Sequence, residues 1–130
     1  MAQKTQFSVT LPNKPGMLAH LCQKLAANEI NLRAISVAET TDYGVVRFVA
    51  ESPAKVRKML DQEGLAFSES DVVLAMLTDK AGALGEAAAR LAKAGVNINY
   101  VYSGAGGGKG KAPLVFGVSN IEKARKVLKS

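Results

Sequence analysis

Asn13-Lys14-Pro15-Gly16-Met17-Leu18 and, 66 residues later, Asp79-Lys80-Ala81-Gly82-Ala83-Leu84 are two versions of one turn. What surrounds each turn repeats as well. Before the first, Phe7-Ser8-Val9-Thr10-Leu11 alternates apolar and polar, the pattern of a half-buried strand. Before the second, Val72 to Thr78 reads as a strand. After the first turn, Leu18, Leu21, Cys22 and Leu25 fall at helical spacing, and Leu84, Ala87, Ala88 and Leu91 reproduce that stripe. Ile30-Asn31-Leu32 then matches Val96-Asn97-Ile98. Beyond residue 44 the best offset becomes 68, so that Arg57-Lys58-Met59-Leu60 meets Arg125-Lys126-Val127-Leu128. The two extra residues are placed in the Gly-rich stretch from Gly104 to Gly110.

The first repeat, residues 1–70, reads strand, helix, strand, strand, helix, strand. Asn13 is an expected helix N-cap, with Pro15 in the first turn. Asn31 to Glu39 and Val45 to Ala50 form a hairpin around Asp42-Tyr43-Gly44. Ser52-Pro53 opens a helix with Val56, Met59 and Leu60 inward, and Leu65 to Ser70 is a short last strand. In the second repeat, residues 71–130, Asp79 takes the cap position, Asn97–Tyr102 and Ala112–Val118 form the hairpin, and Ser119-Asn120-Ile121-Glu122 is a capping-box pattern. The second repeat lacks a final strand. The expected fold class is α+β: two tandem ferredoxin-like βαββαβ units, each an antiparallel sheet with helices on one face. Without that strand, Val72–Thr78 is expected at an open edge, to be covered by the other repeat or another copy.

Composition narrows the chemistry. The chain has 130 residues, 48% hydrophobic and 22% charged, with a net charge of +6, which fits a globular protein. No apolar run approaches the ~20 residues of a membrane span, and the start of the chain lacks a signal-peptide core. One cysteine, Cys22, allows no internal disulfide framework, so a cytoplasmic setting is expected. One histidine, His20, stands two positions from Cys22, and on a helix the two point apart. No metal-ligand spacing is present, no cofactor is called for, and no enzymatic role is expected.

The paired turns, each followed by a helix and an apolar-Asn-apolar strand entry, strongly resemble the ACT domain, a small ligand-sensing module of amino-acid metabolism. The resemblance covers essentially the whole chain as two copies. It is similar overall to stand-alone tandem ACT proteins and locally to regulatory subunits of acetolactate synthase. It implies binding of a free amino acid at an interface between ACT units. The residues it implicates are Asn13, Lys14, Pro15, Gly16, Met17, Leu18 and Asn31 in the first copy. In the second they are Asp79, Lys80, Ala81, Gly82, Ala83, Leu84 and Asn97. The implied partners are a small-molecule amino acid, a second copy in a homo-oligomeric dimer, and a regulated enzyme, without a membrane.

Elementary physics supports that use. A helix N-terminus presents unpaired N–H groups to a carboxylate. Glycine lets a ligand approach the backbone, and Asn or Asp oxygens can accept from an ammonium. The same residues also have a purely structural reading as caps, tight turns and strand-entry bonds. Repeat two carries Ala81 where the pattern has Pro, and Asp79 repels a carboxylate, so the first turn is the better match.

Two other features bear on function. Gly104 to Gly110 fails the phosphate-loop pattern, because no Ser or Thr follows Lys109 and the segment joins two strands. It reads as a hairpin tip, with a ligand lid as the functional alternative. Residues 71–130 carry nine basic and four acidic groups, against eight and seven in residues 1–70. That asymmetry raises nucleic-acid binding, but the RNP1 pattern is missing. A module that regulates an enzyme without a ligand is the other alternative.

Overall fold

The first strand begins five residues before Phe7, where the expected strand started. The structure, a computed structural model, describes residues 2–128. Strand β1 runs Ala2–Pro12, followed by helix α1 (Met17–Ala27), the hairpin β2 (Leu32–Glu39) and β3 (Tyr43–Ala50), and helix α2 (Pro53–Gln62). Strand β4 (Phe67–Thr78), helix α3 (Ala83–Lys93), the hairpin β5 (Ile98–Ser103) and β6 (Lys111–Val118), and helix α4 (Ile121–Val127) complete the order. The expected strands at Leu65–Ser70 and Val72–Thr78 are therefore one continuous strand. No Gly or Pro interrupts the extended backbone between them.

Two compact units result. Thr5–Ser70 forms the first, and 71–128 with residues 2–4 forms the second. In the first unit the sheet order is β2-β3-β1 and the start of β4. Antiparallel register pairs Phe7 with Phe48 and Val9 with Val46, and Ile35 with Phe48. The Phe7 and Phe48 rings stack with centroids 5.6 Å apart. Around them Leu21 and Leu25 of α1 and Val56, Met59 and Leu60 of α2 are buried, as their helical spacing demands.

The second unit repeats the plan with β4-β6-β5, pairing Val73 with Phe116. Its core is Val73, Ala75 and Phe116 under Ala87 and Leu91 of α3 and Ala124 of α4. The edge left by the missing last strand is covered from the first repeat, one of the two covers expected for it. The start of β1 stands beside β4 in the place of the missing last strand, and Gln3 Oε1 lies 3.5 Å from Arg125 Nη1 of α4. A strand from the beginning of the chain thus completes the second sheet.

The capping expectations need three corrections. Neither Asn13 nor Asp79 caps its helix. Gly16 and Gly82 hold the cap positions, both left-handed, with no side-chain cap bond. On α4 the cap is Asn120, whose Oδ1 accepts from the Lys123 N–H at 3.0 Å. Ser119 instead accepts from the Asn97 N–H at 2.9 Å. The helical stripes are also shorter at their beginnings than their spacing suggests, since Leu18 and Leu84 stand 41% and 42% exposed.

Candidate ligand site at the repeated turn

The turn is built the same way in both units. The Asn13 N–H donates to the Asp42 carbonyl at 2.8 Å, and the Asp79 N–H to the Gly110 carbonyl at 2.9 Å. Each turn is thereby fastened to the tip of its own hairpin. One residue on, the Lys14 and Lys80 N–H groups donate back to the carbonyls of Pro12 and Thr78. The chain then reverses through glycine at φ 89° and 88°. No atom lies within 4 Å of a Cβ built on Gly16 or Gly82. The positive φ alone therefore demands glycine, and the space above each turn is open.

In the first unit the turn borders a recess of about 80 Å³. Asn13, Lys14, Met17 and Leu18 meet there with Leu11, Val37, Gly44 and Val46. Asn13 Nδ2 donates to Glu39 Oε2 at 3.2 Å and to the Thr40 carbonyl at 3.5 Å. With its amide N–H groups used on the hairpin, Asn13 has its Oδ1 left to accept from an ammonium. The first N–H groups of α1 have no intrahelical partner, and Lys14 adds a cation beside them. The site thus offers an anion end, an ammonium acceptor and an apolar wall.

The structure separates the remaining candidates from this recess. Asn31 lies beyond the far end of α1, eleven residues or about 16 Å along the helix axis. Its carbonyl accepts from the Glu51 N–H at 3.3 Å. Asn97 holds the matching place in the second unit, where its Nδ2 donates to Asn99 Oδ1 at 2.9 Å and its carbonyl accepts from the Ser119 N–H at 3.0 Å. Both asparagines fasten strand entries. Pro15 and Ala81 are exposed within the turns.

The second turn has different surroundings. Lys80 and Ala83 line a recess of about 200 Å³ with Thr78, Glu86, Arg90, Lys111 and Leu128, on the flank of α3 toward α4. Asp79, Gly82 and Leu84 are exposed beside it. Reading the turn motif alone missed Val37, Val46, Arg90 and Lys111. The hairpins that carry Val46 and Lys111 are joined to the turns by equivalent main-chain bonds, which leave no mark in residue type.

Exposed apolar side chains are unequally shared. Ile35, Val37 and Tyr43, at 36%, 51% and 53% exposure, join Leu18 in the first unit, and Leu84 alone represents the second among the described residues. Ile35 and Val37 lie on β2, the edge strand of the first unit. Among the described residues no group of three or more His, Cys, Asp or Glu could hold a metal. None of the described helices is long and apolar enough to cross a membrane.

A family model described as an ACT domain pair matches residues 2–130. Among solved structures, protein BT0572 from Bacteroides thetaiotaomicron is 35% identical, with 98% of this chain and 87% of that one covered and a TM-score of 0.89. The ligand-free regulatory subunit of aspartate kinase from Thermus thermophilus shares the fold, with 12% identity, 98% and 95% coverage and a TM-score of 0.70. A structure of aspartokinase alpha and beta subunits does so with 17% identity, 98% and 93% coverage and a TM-score of 0.66. Comparison with curated protein sequences finds no match.

Proposed function

The chain belongs to the family of ACT domain pairs, and from that premise we propose that it is a regulatory protein that senses a small free amino acid. The first turn is the sensing site. The observation that carries this reading is the recess at Asn13–Leu18, where the start of α1, Asn13 and an apolar wall meet. A carboxylate sits at the N-terminus of α1, the ammonium meets Asn13 Oδ1, and the ligand side chain lies against Met17, Leu18 and Val37. That wall favours an aliphatic side chain.

At about 80 Å³ the recess is far below the ~300 Å³ at which sites enclose a small molecule. A second copy closes it, through the exposed Leu18 and Val37 that line it and the exposed Ile35 two residues before Val37 on β2. Ligand then stabilises the closed assembly and, by linkage, alters the affinity for a regulated enzyme. The role is regulatory, not catalytic, and the setting cytoplasmic.

Thermal melting with each of the twenty amino acids at millimolar concentration tests this. A ligand bound only to the native state raises the melting temperature by mass action. The expected result is a shift with aliphatic amino acids, lost in Asn13→Ala, with a larger species by light scattering when ligand is present. No shift with any amino acid sinks the sensor reading. A dimer unaffected by amino acids would favour instead the ligand-independent interaction module, which the exposed Ile35 and Val37 of β2 also suit.

A further inference from the structure

We propose that the second unit carries a separate anion site, which takes a small dianionic oxyanion, a phosphate ester or a dicarboxylate, among Lys80, Arg90 and Lys111. These three side chains converge on one recess from three elements: the turn, the flank of α3 and the start of β6. Thr78 also lines it, and Glu86 is the single carboxylate among the described lining residues. Three cationic residues against one anionic residue thus border a recess of about 200 Å³.

The first unit shows how such charges are cancelled from within. Counting back 66 residues, Glu86 and Arg90 correspond to His20 and Lys24. There, Glu63 at the end of α2 receives both, with His20 Nε2 at 3.0 Å and Lys24 Nζ at 3.6 Å. In the second unit the helix pair is joined without a carboxylate, because Arg90 Nη2 donates to the Val127 main-chain carbonyl of α4. A carbonyl satisfies one N–H and cancels no charge. Among the described residues no ion pair holds Lys80, Arg90 or Lys111. The same scaffold position is self-neutralised in one unit and cationic in the other.

The donors select the ligand class. Ammonium groups and a guanidinium donate and never accept, and charge-assisted bonds to oxyanions are about twice as strong as neutral ones. The remaining double charge matches a phosphate ester, which carries about −1.5 to −2 near neutral pH, or a dicarboxylate. A neutral amino acid offers one carboxylate and brings an ammonium into a field of cations. This recess therefore does not duplicate the sensing site of the first unit, and the inference stands whether or not that sensing reading holds.

Amide NMR titration tests the site on the whole protein, with inorganic phosphate in one arm, succinate in another and sodium chloride at matched ionic strength as the control. Saturable shifts confined to Thr78, Lys80, Arg90 and Lys111 are expected with one or both dianions and not with chloride. Preference between phosphate and succinate separates the two sources. Lys80→Ala with Lys111→Ala should weaken binding at least tenfold. Lys123→Ala with Lys126→Ala removes the same charge from α4 and should change it less than twofold. Asn13→Ala should leave the titration unchanged. Lys111→Gln alone, with a several-fold loss, replaces the double variant if that one unfolds. Shifts equal in chloride, equal losses in both double variants, or no saturable shift would each overturn the proposal.

Discussion

The two turns share their backbone and differ in nearly everything around it. Gly16 stands at φ 89°, ψ −12° and Gly82 at φ 88°, ψ −10°, and each turn is fastened to its hairpin by an equivalent main-chain bond. One opens on an apolar recess toward β2, the other on a cationic recess toward α4. Duplication has kept what the backbone requires, a residue free to adopt positive φ and a carbonyl to hold the turn. The side chains on those elements were free to diverge. A pseudo-symmetric fold thus does not imply two equal sites.

The largest effect should come from testing that division at its shared point. Valine at position 16 or 82 forces a β-branched residue into the left-handed region, at a cost of about 1–3 kcal/mol. Since a Cβ at either glycine meets nothing, the cost is torsional and should be similar in both variants by urea unfolding. Their ligand responses should differ. Gly16→Val loses the amino-acid shift, and Gly82→Val keeps it. If both lose it equally, the two turns work as one site and the comparison fails.

The turns, helices and hairpins were legible because their signals are local. Leu21 and Leu25, or Val56, Met59 and Leu60, repeat at helical spacing, and all five are buried. What was not legible depends on contacts distant in sequence. Gln3 and Lys4 carry no sign that they belong with a sheet seventy residues away, so the second unit read as lacking a strand. Within the candidate site, Asn13 and Lys14 were legible from the turn, whereas Val37 and Val46 were not. Nothing in those two residues distinguishes the rim of a recess from any other strand face. Leu18 and Leu84 followed the apolar stripe yet stand exposed. Gly16 and Gly82 read correctly as a special backbone. Asn13 and Asp79 did not read correctly as caps, because three residues separate them from the first residue of their helices.

That error gives the next contrast. Asn120 caps α4 through a bond that Asn13 and Asp79 do not make. Asn120→Ala should cost about 1 kcal/mol. Asn13→Ala and Asp79→Ala, on exposed turns, should stay within about 0.5 kcal/mol. Paired with the melting assay, this separates function from stability. Asn13→Ala should abolish the ligand response while barely moving the unliganded melt. A large loss of stability in Asn13→Ala would mean the Glu39 and Thr40 bonds hold the hairpin, and the lost response would say nothing about contact with ligand.

The smallest effect concerns acid. The hydrogen bond from His20 holds the Glu63 carboxyl below its usual range, assisted by the charge of Lys24. Arg57 does the same to Glu69, with its Nε 2.8 Å from Glu69 Oε2. A folded-state pKa below the unfolded one means that the unfolded chain takes up its proton first as pH falls. The stabilisation is therefore complete above the ordinary carboxylate range and is lost as pH falls through that range to the depressed folded value. Both groups lie in the first unit. The second ties its helices through the Val127 carbonyl, which does not titrate there. Hydrogen exchange in acid should therefore speed up in α1 and α2 before α3 and α4, modestly because these pairs are near the surface, and less in high salt. Glu63→Gln should reduce the difference. If acid loosens both helix pairs at the same pH, and Glu63→Gln changes neither, the ion cluster is not what distinguishes the first unit, and the contrast with the uncancelled Arg90 loses its energetic basis.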